Sequence, residues 1–189
     1  MWGGGQVKVI LGYGGTVELG RFFHSTGEVV INADRGGKIQ IGTNFVAMDS
    51  ASICANDGGI IEIGNYVSSC KRLLILGGRM APVSIGTDCM ISADVSILGT
   101  SGHSILDLEG KRAITPANEG PVIVGNHVWL GKSSGILSNT KIGDGSILGA
   151  CSLAKGQYPE NSIIAGNIAK VIRSNCTWDK RQGITFEEF

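Results

Sequence analysis

Along this chain an aliphatic residue recurs every six positions. Glycine often follows it, and a small or β-branched residue stands four places on. Ile85-Gly86-Thr87-Asp88-Cys89-Met90 passes directly into Ile91-Ser92-Ala93-Asp94-Val95-Ser96. Val124, Leu130, Ile136, Ile142 and Leu148 open further units in unbroken succession, and weaker copies begin at Leu19, Ile41, Ile53 and Ile63. An amphipathic helix needs apolar spacing of about 3.6, which these segments lack. No hexapeptide can bury its own aliphatic face, so the units must stack and turn their aliphatic residues into one continuous core. The glycine is expected to serve a tight corner, often at positive φ. The residue four places on must be small enough to fit that corner.

The repeat is interrupted at length once. Ile97 opens a unit that would close at Gly102, and the next clear unit opens at Val124. The 21 residues between, His103 to Ile123, are expected to leave the coil as a loop. A long loop on a rigid solenoid is the usual seat of function, although a neutral insertion has the same pattern. Asp34 to Lys38, Asp57 to Gly59 and Gly77 to Pro82 read as corner turns. Beyond Leu148 the pattern decays. Tyr158 to Asn161 reads as a turn, Ser162 to Arg173 as a closing strand pair, and 174–189 as a short capping helix. The repeats occupy about residues 15–173 of a single domain, 1–189.

Composition agrees with a turn-rich β protein. Glycine supplies 30 of 189 residues, about twice the usual share of roughly 7%. It has no collagen period, and a hydrophobic content of 42% is too high for a linker. Sixteen basic residues balance sixteen acidic ones, which argues against a partner held by a basic field, whether nucleic acid or membrane surface. No run is apolar enough to predict a membrane span. Met1-Trp2-Gly3-Gly4-Gly5 is not patterned as a signal peptide. The five cysteines form no Cys-x-x-Cys pair and read as small packing residues in a reducing, cytoplasmic setting. Cys151, at a corner of its repeat, is read the same way.

Histidine is the side chain best suited to take a proton near neutral pH. His103 opens the loop. His24 lies in an early coil, and His127 sits mid-repeat with its side chain expected to point outward. Asp107, four residues after His103, is placed either to orient the imidazole or simply to be solvated. Trp129 precedes the inward Leu130 and should therefore face outward, as a ligand wall or a subunit contact. The one Gly-x-Ser-x-Gly run, Gly131-Lys132-Ser133-Ser134-Gly135, lies inside the hexapeptide repeats rather than at a strand-to-helix elbow, so direct transfer is favoured over a covalent intermediate.

Five segments occur in a fixed order. They are Gly102-His103-Ser104-Ile105-Leu106-Asp107, Gly110-Lys111-Arg112, residues 120–131, residues 163–173, and Asn175-Cys176-Thr177-Trp178. Together they resemble the hexapeptide-repeat acetyltransferases, and in particular the bacterial capsular and exopolysaccharide O-acetyltransferases. The resemblance implies an all-β, left-handed parallel β-helix, three hexapeptides per triangular coil, assembled as a homotrimer with active sites between subunits. It implies acetyl-CoA as co-substrate without a metal, a carbohydrate hydroxyl as acceptor, and His103 as general base. It places Trp129 against the acetyl or pantetheine group, backbone near Gly131 and Ala150 against the pantetheine amides, and Lys132, Lys155 and Arg173 near the phosphates. Three other readings stand beside it. These are N-acetylation of an amino sugar or nucleotide sugar, a zinc carbonic anhydrase of the same fold using His24, His103 and His127, and an ice-binding solenoid.

Overall fold

A computed structural model describes residues 4–114 and 119–188. The chain winds through seven coils of a three-sided parallel β-helix. The first face runs from strand Val7–Leu11 to Leu153–Ala154, and the second from Thr16–Leu19 to Gln157–Tyr158. The third runs from His24–Ser25 to Ser162–Gly166, with Ala169–Ser174 added antiparallel as its last strand. The repeat predicts this architecture, and Ile85, Ile91, Val124, Leu130, Ile136, Ile142 and Leu148 are all buried. Identical side chains stack between coils. Ile31, Ile53, Ile75, Ile97 and Ile136 form one ladder up the first face. Stacking of this kind replaces water on both sides of each side chain, at about 25 cal/mol per Å² of apolar surface.

The coils are not of one length. Val29 pairs with Ala51 and Ala51 with Leu73, so the lower coils take 22 residues. Above the loop, Val122 pairs with Thr140 and Trp129 with Ile147, so the coil takes 18. The interrupted coil takes 39, from Met90 to Trp129. Its loop leaves the first face after Leu98 and rejoins the second at Val122, two residues before the expected Val124. Residues 115–118 of the predicted loop lie outside the described residues.

The glycine after each aliphatic residue has a different cause from the one its position suggests. Gly64, Gly86 and Gly131 do not have positive φ. A Cβ on Gly64 would stand 2.7 Å from the Gly86 carbonyl carbon, and one on Gly86 would stand 2.6 Å from that of Gly125. The glycine is therefore required by close approach of the next coil. The left-handed turn falls two residues later, at Asn44, Tyr66, Asp88 and His127, with φ of 58°, 59°, 58° and 51°.

The upper end closes as the predicted strand pair. Ser162–Gly166 and Ala169–Ser174 run antiparallel, and the Tyr158 hydroxyl donates to Ala169 O at 3.0 Å. The expected capping helix does not form. Among the described residues the tail is irregular, with bends at 180–183 and one 3-10 turn at Phe186–Glu188, and it docks on the side of the prism through Trp178.

Candidate active site

The loop carrying His103 springs from the edge between the first and second faces. Glu119 pins its base. One carboxylate oxygen accepts from Thr100 Oγ1 at 3.1 Å and from Ser101 N at 2.6 Å, with Ser101 Oγ at 2.8 Å. Three short contacts on one oxygen tie the start of the loop to its return. Sequence reasoning missed Glu119, because nothing in its spacing announces a contact made 18 residues away. His103 follows Gly102, whose φ is +72°, and its exposed imidazole lines a cleft of about 540 Å³. The cleft continues down the same edge past Arg79 and Met80 to Asp57 and Arg35. Arg35 pairs with Asp57, which holds the carboxyl of Asp57 below its ordinary range.

Asp107 is engaged elsewhere. Strands Leu106–Asp107 and Arg112–Ala113 pair antiparallel. Within that hairpin Asp107 Oδ1 accepts from Gly110 N at 2.9 Å, and Oδ2 lies 3.4 Å from Arg112 Nε. Its carboxylate shapes the hairpin, and among the described residues it makes no hydrogen bond to His103.

Trp129 lies on the third face, across the prism from the loop's edge. It faces outward as expected, in register with Met90 and Ile147, while Leu130 points inward. Its Nε1 donates to Ser92 Oγ at 3.0 Å. Trp178 of the tail leans on it, with ring centroids 6.2 Å apart and planes at 52°. Trp178 itself lies flat on His127, at 4.3 Å and 6°. The two residues also exchange hydrogen bonds, His127 Nε2 to Trp178 O at 2.9 Å and Trp178 Nε1 to His127 O at 2.8 Å. Asp88 accepts from His127 Nδ1 at 2.8 Å and from Lys180 at 2.5 Å. Burial works against the Asp88 carboxylate, but these two partners outweigh it and hold its pKa down. His127 is thus half-buried in a tail lock rather than free on the surface. Both of its ring nitrogens lie within hydrogen-bond distance of protein oxygens.

Gly131, Lys132 and Ala150 meet at the corner just after Trp129. A Cβ on Gly131 would lie 2.6 Å from Ala150 N. No acceptor among the described residues takes the Ala150 N–H. Lys132 is exposed there. Lys155 is exposed on the other side, on the edge that bears His103. Arg173 is exposed on the closing strand, beside Ile163 of the third face. One chain therefore gathers His103 and Lys155 on one edge, and Trp129, Gly131, Lys132 and Ala150 around the opposite face. Cys89 is buried, and burial pushes its thiol up to about 11, which keeps it protonated and unreactive. Cys151 is exposed at a left-handed corner, φ +57°, rather than packed. All five cysteines are unpaired.

Residues 121–156 match the family described as the bacterial transferase hexapeptide (six repeats). A polysialic acid O-acetyltransferase of Escherichia coli O1:K1 / APEC is 36% identical over 96 residues, 51% of this chain and 31% of that protein. A putative lipopolysaccharide biosynthesis O-acetyl transferase, WbbJ, of Escherichia coli K12 is 37% identical over 99 residues, 48% and 50% of the two chains. The matches thus span half or less of the length of these two relatives. Among solved structures, the polySia-specific acetyltransferase NeuO superposes with a TM-score of 0.69 at 23% identity, covering 96% of this chain and 91% of its own. At that identity the likeness establishes a common fold.

Proposed function

We propose that this hexapeptide-repeat protein transfers an acetyl group from acetyl-CoA to a sugar hydroxyl of a bacterial surface polysaccharide or its precursor. The observation that carries the reading is the exposed His103 imidazole lining a cleft, on a loop pinned by Glu119. Relatives named as polysialic acid and lipopolysaccharide O-acetyltransferases support the acceptor class. The acceptor lies in the cleft, and a neutral His103 takes the proton from its hydroxyl. The freed oxygen attacks the thioester carbonyl, the C–S bond breaks, and the imidazolium returns its proton to the leaving thiolate. Positioned base catalysis of this kind contributes about 10²–10⁴-fold. Asp107 acts on the shape of the loop.

The donor fits the opposite side of the molecule. The unpaired Ala150 N–H beside Gly131 suits a pantetheine amide, Trp129 supplies an apolar wall, and Lys132 and Arg173 offer cations to phosphates, with Lys155 reaching them from the subunit that supplies the His103 edge. Since His103 and Trp129 face opposite ways in one chain, a complete site takes the loop of one subunit and the third face of another. A homotrimer provides three such sites. Outward Leu76, Leu98 and Leu137 make an apolar ladder on the first face, as a subunit contact requires. The unpaired cysteines suit a cytoplasmic enzyme.

The test is acetyl-CoA-dependent thiol release against polysaccharides, oligosaccharides and amino sugars, for wild type and His103→Ala, along a dilution series. Release that needs a hydroxylated acceptor and falls at least about 10²-fold in the variant is expected. A variant that keeps its rate removes His103 as base. Full activity in a monomer at nanomolar concentration removes the two-subunit site.

A further inference from the structure

We infer that Trp178 is a positioning residue for the donor site: docked on His127, it fixes the indole of Trp129 in the orientation that acetyl-CoA meets. The inference rests on the proposed role of Trp129 as donor wall. Trp129 stands outward on a strand of two residues, Trp129–Leu130. Its one hydrogen bond holds the indole at Nε1 alone, and a ring held at a single atom swings about that point. Trp178 supplies the second contact, a tilted ring against ring.

The buttress is itself held from every side. Its ring is stacked on His127 and its Nε1 donates to the backbone below, while its own carbonyl accepts from the same histidine. Two residues before it, Cys176 N donates to Asn161 O at 2.9 Å. Two residues after it, Lys180 pairs with Asp88. This fixation is not needed to close the core. Trp178 is buried yet stands outside the cluster that fills the prism. A large aromatic held this firmly outside the core, and turned to the outward indole of the proposed site, acts on that indole.

The experiment combines acetyl-CoA affinity and kinetics with fluorine NMR of 5-fluorotryptophan protein, in Trp178→Ala and Trp178→Phe. In Trp178→Ala the Trp129 resonance is expected to broaden. The KM and Kd for acetyl-CoA rise about tenfold, with the acceptor KM unchanged. Trp178→Phe keeps a ring on both neighbours and returns affinity to within about threefold. A merely structural role lowers the Tm of both variants and leaves the acetyl-CoA constants alone. Wild-type affinity with a sharp Trp129 resonance in Trp178→Ala overturns the inference. If Trp178→Ala does not fold, Lys180→Ala loosens the tail from its far side. The same changes, smaller, are then expected, and an unchanged resonance and affinity overturns the inference equally. A wild type that binds no acetyl-CoA, with Trp129 still released in Trp178→Ala, sinks the donor reading while the contact between the tryptophans survives.

Discussion

The coils below the loop and those above it share a core and differ at one corner. Below, four-residue turns at 12–15, 34–37, 56–59 and 78–81 stack on the edge between the first and second faces, each closed by a backbone hydrogen bond of 2.9–3.1 Å. Above, that edge carries only Ser138-Asn139 and Lys155-Gly156 between the strands. With the longer strands that flank the turns, the path across this edge from Ile31 to Ile39 takes eight residues and the equivalent path from Ile136 to Thr140 takes four, which accounts for the difference between 22 and 18 residues per coil. The extra turns bring Arg35, Asp57, Arg79 and Met80 out along the edge, and these residues wall the cleft beneath His103. The flat upper edge offers no such wall. Core and function are thus written in separate places: the aliphatic ladder is common to both regions, and additions at a single corner make the cleft.

A common core is the part of this comparison most open to breaking. Ile53 belongs to a 22-residue coil and Ile136 to an 18-residue coil, and both stand fully buried in the same ladder. Ile53→Ala and Ile136→Ala should each cost about 2–5 kcal/mol, read from denaturant unfolding at fixed m-value. A cost at one site and none at the other shows that the two regions unfold separately.

The glycines sharpen the contrast. Gly64 and Gly131 lie in the two regions, and a Cβ on either would stand 2.6–2.7 Å from backbone of the next coil. Gly64→Ala and Gly131→Ala should lose about 1–3 kcal/mol each by overpacking. Gly58 belongs to an added turn. Its φ is +74°, and a Cβ there meets only the Arg79 side chain at 3.9 Å. Gly58→Ala should cost only backbone strain of about 1–2 kcal/mol. Equal Tm losses at Gly58 and Gly131, with similar unfolding slopes, argue that close approach is not what sets the spacing glycine.

These glycines also show what was legible. The period of six predicts the inward residues, the outward turn of Trp129 and the place of the loop, because each follows from one face being buried. It does not distinguish a glycine needed for space from one needed for φ, since both read as a small residue beside a corner. Four added residues per coil blur the period below Ile85, and the family match of 121–156 covers the stretch from Val124 where it is unbroken. Glu119 and Asp88 escaped notice for another reason. Each acts through a partner far along the chain, Thr100 and Lys180, and an isolated carboxylate in a sequence reads as solvated. The sequence of 174–189 reads as a short capping helix, a reading that ignores where Trp178 docks. Trp178 instead stacks on His127 and exchanges hydrogen bonds with it.

The smallest expected effect concerns that tail, which docks where a 22-residue coil and the loop-bearing coil meet, on Asp88 and His127. With the tail docked, Asp88 holds its proton less tightly than an ordinary carboxyl, for which 3.8 is the reference. Docking is therefore fully supported above that reference. It weakens as pH falls through the lower, docked value, where protonation removes the partner of Lys180 and His127. The ion pair is largely exposed, so its contribution is under about 1 kcal/mol. Tryptophan fluorescence followed from pH 7 downward should show Trp178 leaving its buried site before the prism unfolds, as read by far-UV circular dichroism. Asp88→Asn should loosen the tail already at pH 7 and flatten that early transition, while the unfolding of the coils keeps its own pH dependence. An Asp88→Asn protein with the wild-type fluorescence profile places the grip on Trp178 in its stack with His127 alone, and removes the carboxylate from the lock.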